Sequence, residues 1–289
     1  METIRIATRA SRLALIQANY VRNLLAKLSP QSQTSIVEVC TSGDVDRSIP
    51  LYGTETIGFF TSEVERALLE DKADLAVHSL KDLPTQTKPE LTIAAIPRRE
   101  SAADVIVSSK KILSISDLDI GSEVGTSSLR RIAQLKHHRS DLKFVPLRGN
   151  VETRVQKVFS GKLDAAVIAW AGLKRLGMSD KISLTLSPFE FIPAPGQGAL
   201  AVQIRRDDKE LAELVSKIDD PQSHISTETE RYILSLIGGG CSIPLGVYCS
   251  VEKDMINIHA CIASPNGKAY IKRSAISSFS KIRKMSKKR

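Results

Sequence analysis

Long apolar runs are absent from this chain. No stretch approaches the ~20 residues that a membrane-spanning helix requires, so a helical membrane protein is excluded and no membrane partner is expected. The opening METIRIATRAS lacks the hydrophobic core of a signal peptide and goes almost directly into a strand-like segment. A cytoplasmic protein is the expectation. Cysteine is scarce: Cys40, Cys241, Cys249 and Cys261 are all there are, with no CxxC spacing. In a cytosolic chain such residues are reduced thiols rather than a disulfide frame. His137 and His138 adjoin without the cysteine or carboxylate pattern of a metal site, and no metal is expected. A GxxxxGK[ST] loop is missing, which argues against a nucleoside triphosphate, and the lack of GxGxxG argues against a dinucleotide.

Positive charge is abundant. The net charge is +9 over 289 residues, but six basic residues and no acid fall in the last nine, KIRKMSKKR, leaving +3 for the rest. That tail reads as a solvated terminus. It has no aromatic interleaving and no RNA-binding motif, so nucleic acid is not an expected partner. The length suggests two or three domains.

In chain order, residues 4–8 alternate as a strand, and Ser11 is placed to cap a helix whose apolar residues are Leu13, Ile16, Tyr20, Leu24 and Leu28. Arg9, Ser11 and Arg12 therefore sit at a strand-to-helix junction, where unsatisfied N–H groups and the helix dipole favour an anion. Ile36–Cys40 reads as a second strand, and Ser62 with Glu65 as a capping box for a helix through Leu69.

The stretch DLAVHSLKDLP, residues 74–84, is a short apolar strand that turns polar at His78, Ser79, Lys81 and Asp82 and is closed by Pro84. Such a strand is a common way for an α/β protein to present reactive groups at its carboxyl end.

The same three signals then recur in the same order. VGTSSLRR (124–131) parallels IATRASR (6–12); FVPLRGN (144–150) parallels VEVCTSGD (37–44); KLDAAVIA (162–169) parallels KADLAVHS (72–79). A weak internal duplication of βαβ character follows. Two such lobes are expected to face one another across a cleft with helix N-termini pointing in. In the second copy the junctions carry Ser127, Ser128, Arg130, Arg131, Arg148 and Arg154, with Asn150 and Lys174–Arg175 as additions. Arginine at these places favours carboxylates. PRRESAAD (97–104) and PAPGQG (193–198) read as the connectors, after which ALAVQIR is a strand that rejoins the first lobe.

Residues 221–289 read as a smaller α+β unit. A helix with Ile225, Thr229, Tyr232, Ile233 and Leu236 runs into Gly238-Gly239-Gly240-Cys241, and an alternating strand at Ile256–Ile262 turns at Pro265-Asn266-Gly267. Three glycines before a cysteine give the thiol clear space, as an attachment point or nucleophile needs. His78 is the only plausible histidine for a triad, and it stands with Lys and Asp rather than in a hydrolase elbow.

Taken together, IATRAS, HSLKDLP, GTSSLRR, RGNVETR, AGLKRLG, PAPGQGAL and GGGCSIPLG, in that order, resemble the hydroxymethylbilane synthase family, also called the porphobilinogen deaminases. The likeness covers nearly the whole chain. It implies an α/β fold of two periplasmic-binding-protein-like lobes and a small α+β C-terminal domain, with 1–98 and 199–217 as the first lobe, 104–192 as the second and 221–289 as the third. It also implies a transferase of tetrapyrrole (heme) biosynthesis, monomeric and cytoplasmic, with porphobilinogen as substrate. By the same resemblance, Cys241 holds a dipyrromethane cofactor through a thioether, Asp82 is catalytic and Lys81 lies on the cofactor side. Arg9, Ser11, Gln17, Thr126, Ser127, Ser128, Arg130, Arg131, Arg148, Asn150, Arg154, Arg175, Gln197 and Gly198 match binding or catalytic positions. A buried Asp82 is the expectation, because a buried carboxylate stabilises a developing cation well.

Three places depart from the family pattern: the 53–60 loop has no lysine, Arg12 stands where proline is common, and the chain is expected to lack a long C-terminal helix. The rival reading is a non-enzymatic, two-lobed anion-binding or sensor protein. It accounts for the duplication and the arginines, but not for the GGGC loop beside the lysine–aspartate turn.

Overall fold

The computed structural model describes residues 3–41, 61–238 and 243–278. The chain divides into two compact units, one of Met1–Glu100 with Gly198–Ile225 and one of Ser101–Gln197 with Ser226–Arg289.

The first unit is built on β1 (Thr3–Arg9), β2 (Gln33–Val39), β3 (Leu75–Ser79), β4 (Leu91–Ala95) and β10 (Leu200–Arg205), numbered along the chain and ordered β2-β1-β3-β10-β4 across the sheet. β1 runs parallel to β2 and β3, whereas β10 is antiparallel to β3 and β4. Strand side chains alternate between faces. Ile4, Ile6, Leu75, Val77, Val202 and Ile204 therefore share one face, where they meet Ala18, Val21 and Leu25 of α1 (Arg12–Leu28). Ala7 and Ala76 point the other way, against Val64, Ala67 and Leu68 of α2 (Ser62–Leu69). Each large side chain so buried contributes roughly 1.5–3 kcal/mol.

Two local readings of the sequence are corrected here. α1 forms, but its buried stripe is Ala14, Gln17, Ala18, Val21 and Leu25, while Tyr20 and Leu28 are exposed. The stripe turns toward the small residues because Gln17 is drawn in by a hydrogen bond to Ser79, 2.9 Å long. The N-cap position of α2 is Thr61, which makes no side-chain capping hydrogen bond, and there is no Ser62–Glu65 box. Glu65 is buried and accepts a hydrogen bond from Gln203 instead.

In the second unit, β5 (Asp104–Ser108), β6 (Glu123–Gly125), β7 (Lys143–Val145), β8 (Ala165–Ala169) and β9 (Leu184–Thr185) form a sheet of order β7-β6-β8-β5-β9. β6 is parallel to β7 and β8, and β5 is antiparallel to β8 and β9. This repeats the first sheet strand for strand, with α3 (Leu129–His138) in the place of α1 and α4 (Val151–Phe159) in the place of α2. The duplicated motifs of the sequence thus mark equivalent positions on two sheets of one topology. α5 (Trp170–Arg175) follows β8 directly.

The same unit carries an antiparallel meander of β11 (Leu245–Glu252), β12 (Met255–Ala263) and β13 (Tyr270–Ser278). The β12–β13 turn sits on α3. At Gly267, where φ is +73°, a Cβ would lie 2.8 Å from Lys136 Cβ and 2.9 Å from the Ala133 carbonyl, so only glycine fits. Tyr270 stacks on His137 beside it, with ring centroids 4.3 Å apart. α6 (Lys209–Ser216) packs Leu211 and Val215 into the first core, and α7 (Pro221–Ile237) precedes the meander. α7 buries a polar set, Ser226, Thr227, Thr229 and Glu230, while Leu236 is exposed. Glu230 explains that inversion of the apolar pattern: its carboxylate accepts from the backbone N–H of Gly196 (2.7 Å) and of Cys249 (2.8 Å).

Candidate active site

In the first unit, β3 ends in a 3-10 turn, Leu80–Asp82. Side chains three apart eclipse in such a turn. Leu80 and Leu83 accordingly both point into the core, and Leu80 N–H donates to the Ala199 carbonyl (3.0 Å). The residues between them, Lys81 and Asp82, are turned outward: Lys81 is half-buried and Asp82 exposed. The expectation of a buried Asp82 is therefore corrected, since the turn uses its two leucines as anchors and leaves the carboxylate on the outside.

β1 and β3 are parallel neighbours, paired at Ile6–Leu75 and Ala7–Ala76. Their carboxyl ends lie on one edge of the sheet, next to the point where connections diverge toward β2 and β3, the usual location of ligands in open α/β sheets. Arg9 and the first turn of α1 stand on this edge. Ser11 caps the helix, its Oγ accepting from Ala14 N–H (3.4 Å), and so helps satisfy the amides that would attract an anion. Gln17 is buried and holds Ser79 just before the turn.

His78 is not part of a triad. It is fully buried on the α2 face, with Nε2 3.1 Å from Gln203 Oε1, and Gln203 Nε2 donates to Glu65 Oε1 at 3.1 Å. Lys88 Nζ stands 3.7 Å from Glu65 Oε2. Burial pushes the His78 pKa down to about 4 against a smaller opposing effect of the Gln203 bond. The sequence offered Glu65 only as half of a capping box and did not signal Lys88 or Gln203, because the three come from separated segments.

In the second unit the equivalent edge follows β6. Thr126 is buried and its Oγ1 accepts from Ser128 N–H (3.2 Å). Ser127 Oγ bridges the Leu147 backbone, donating to its carbonyl (3.1 Å) and accepting from its N–H (3.0 Å). Ser128 caps α3, and Asn150 caps α4 with Oδ1 2.8 Å from Thr153 N. Arg148, Arg154 and Arg175 are half-buried, and Arg154 Nε donates to the Gly149 carbonyl (2.9 Å).

Arg130, Arg131 and Gln197 turn their side chains into the interior. All three are buried and converge on one residue that sequence reasoning missed, Asp104 at the start of β5. Arg131 reaches Asp104 Oδ1 through Nε (3.1 Å) and Nη2 (2.7 Å), Arg130 reaches Oδ2 through Nη1 (2.8 Å), and Gln197 Nε2 reaches Oδ1 (2.9 Å). The guanidinium groups also donate to the Ile192 and Val167 carbonyls. Burial by itself would raise the Asp104 pKa, but the two arginine charges and their hydrogen bonds overrule it and hold the carboxyl far below its usual range. Gly198, with φ +89°, accepts from Glu100 N–H at 3.3 Å in the first unit. Cys241 and the 53–60 loop lie outside the described residues. Cys40, Cys249 and Cys261 are not in disulfides.

Comparison with known proteins identifies the family. Residues 4–213 match the family model "Porphobilinogen deaminase, dipyromethane cofactor binding domain", and residues 225–288 match "Porphobilinogen deaminase, C-terminal domain". The porphobilinogen deaminase of Pelotomaculum thermopropionicum is 43% identical over 272 residues, covering 93% of this chain and 86% of its own length. Those of Syntrophobacter fumaroxidans and Alkaliphilus metalliredigens are each 40% identical, covering 98% and 94% of this chain and 91% and 86% of their own lengths. Among solved structures, the VFT2 domain of Bordetella pertussis BvgS covers 81% of this chain, and 93% of its own, at 19% identity and a TM-score of 0.45, a likeness too loose to bear on function. With both of its family models matched in order and these relatives aligned along almost its whole length, the chain belongs to the porphobilinogen deaminase family.

Proposed function

We propose that this protein joins four porphobilinogen molecules in sequence, with loss of ammonia at each step, onto a dipyrromethane attached at Cys241, and releases hydroxymethylbilane. The observation that carries this reading is the carboxyl edge of the first sheet, where parallel β1 and β3 bring the Arg9–Ser11 junction and the Lys81–Asp82 turn side by side.

A dipyrromethane carries acetate and propionate groups, and the donor set suits a polycarboxylate. Arg9 and Lys81 in the first unit, and Arg148, Arg154 and Arg175 in the second, stand at strand ends or helix ends. Guanidinium groups there pair with carboxylates in bidentate fashion. The capped N-termini of α1, α3 and α4 add oriented amide dipoles. When bound, the dipyrromethane supplies the attacking pyrrole carbon and a covalent tether worth effective molarities up to ~10⁵ M or more.

Asp82 is the acid–base and electrostatic group. Its carboxylate accepts the pyrrole N–H of the incoming porphobilinogen and offsets the positive charge left on the substrate methylene as ammonia departs. It then takes the proton released from the pyrrole carbon after the new bond forms. Lys81 balances the carboxylates around it. Gln17 keeps Ser79, and with it the start of the turn, in place. Arg130, Arg131 and Gln197, gathered by Asp104, act from behind the binding edge as a charged platform rather than as first contacts. The protein works as a monomer in the cytoplasm.

Intact-mass spectrometry tests this reading. Protein purified from cells should be heavier than its sequence by two pyrrole units, lose that mass in Cys241→Ser, consume porphobilinogen and sediment as a monomer. Unmodified, porphobilinogen-inert protein would overturn the reading and favour a sensor.

A further inference from the structure

We infer that His78, Gln203 and Glu65 are positioning residues for the Lys81–Asp82 turn, because their side chains close residues 78–88 into a ring. The inference rests on the role given to Asp82 above. His78 lies four residues before Asp82 and Lys88 six after it. From His78 the ring passes through Gln203 on β10 (3.1 Å), then Glu65 on α2 (3.1 Å), and returns to the chain at Lys88 (3.7 Å).

The hydrogen-bond directions around the ring are determined. Gln203 Nε2 donates to Glu65 Oε1, which leaves the amide carbonyl facing His78 Nε2. His78 must then donate from Nε2, as a neutral imidazole with its proton on that atom. Burial, which holds its pKa near 4, keeps it neutral at working pH. Every member has the partner that its neighbours leave open, so a change at one place is felt at the next.

Packing alone does not account for this chain. The apolar cluster on that face includes Ala7, Val64, Ala67, Leu68 and Ala76, and an apolar residue at 78 or 203 would extend it. Burying an imidazole, an amide and a carboxylate costs free energy that apolar residues would not. What the polar residues add is direction: they tie the segment before the turn and the segment after it to the same two elements. The turn also has its own backbone anchors, Leu80 N–H to Ala199 and Leu83 N–H to Leu80. Cutting the ring should therefore shift the turn without unfolding the sheet.

The test uses holoenzyme carrying Gln203→Met, His78→Leu or His78→Gln. The last restores an N–H donor near the original Nε2 position. Misplacing a reacting group by about 1 Å costs on the order of 10²-fold, so Gln203→Met and His78→Leu should lower kcat roughly 10- to 100-fold, with KM changed less than about threefold. His78→Gln should regain most of that loss. Unchanged kcat in Gln203→Met and His78→Leu, or no recovery in His78→Gln, would overturn the inference. A second measurement is independent of activity. The ¹⁵N ring signals of His78 in the wild-type protein should show a neutral Nε2–H tautomer at pH 6 that is lost in Gln203→Met; an Nδ1–H or charged ring would equally overturn it. Wild-type protein inert toward porphobilinogen would instead sink the proposed function, while the ring signals would still judge the hydrogen-bond chain.

Discussion

Replacing Asp104 by asparagine removes one negative charge from a place where two arginines depend on it. Asp104 is fully buried and accepts four hydrogen bonds or ion pairs from Arg130, Arg131 and Gln197. Asparagine keeps the shape but turns an NH₂ group toward guanidinium donors, so the loss is of charge and of an acceptor together. Breaking a buried ion pair by removing one partner costs about 3–5 kcal/mol. The assay is urea unfolding of Asp104→Asn against wild type. Linkage gives the pH window. The carboxyl pKa lies far below its ordinary value of 3.8 in the folded protein, so its contribution is complete above that value and is lost only as pH falls toward the folded one. The difference between the two proteins should hold constant from pH 8 to about 5 and shrink only in stronger acid. In an Arg131→Met background, where one of the stranded charges is already gone, the penalty should fall by about half. A penalty under about 1 kcal/mol, or one unaltered by Arg131→Met, would refute the claim that Asp104 compensates both arginines.

Asp82→Asn should reduce porphobilinogen turnover roughly 10²- to 10⁴-fold while leaving the mass of attached dipyrromethane unchanged; turnover within a few-fold of wild type would reject its role. His78 moves from 6.5 to about 4 on folding, which at 1.36 kcal/mol per unit is worth about 3 kcal/mol. Because the folded value is depressed, that stability is present above pH 6.5 and drains away toward pH 4. Denaturation midpoints of wild type and His78→Gln should therefore converge over that window, and parallel curves would contradict the burial argument. Gly246→Ala would place a Cβ 2.5 Å from the Ile192 carbonyl oxygen and 2.9 Å from Cys261 Sγ. Overpacking of that kind costs about 1–3 kcal/mol, to be read from thermal unfolding, and an unchanged midpoint would show that β11 can shift there.

The sequence alone determined the repeated strand–helix units, the turn at Pro265–Gly267 and the cap at Ser11. These are local matters: strand alternation, a glycine at positive φ and a side-chain oxygen three residues before an amide all act over a few residues. The candidate site was legible in the same way wherever its residues are contiguous, as in the His78–Asp82 stretch. The phase of α1 was not, because two stripes compete and a hydrogen bond from Gln17 to a residue 62 positions away chooses between them. Nor was the fate of Arg130 and Arg131. A pattern of serines and arginines says that cations are present, but not which of them a buried carboxylate has engaged. Only the tertiary structure brought Asp104 under that pair, Glu65 and Gln203 behind His78, and Asp82 to the outside of its turn. In each case the partner comes from another segment of the chain, and desolvation, which makes the pairing obligatory, exists only once the sheets have closed over it.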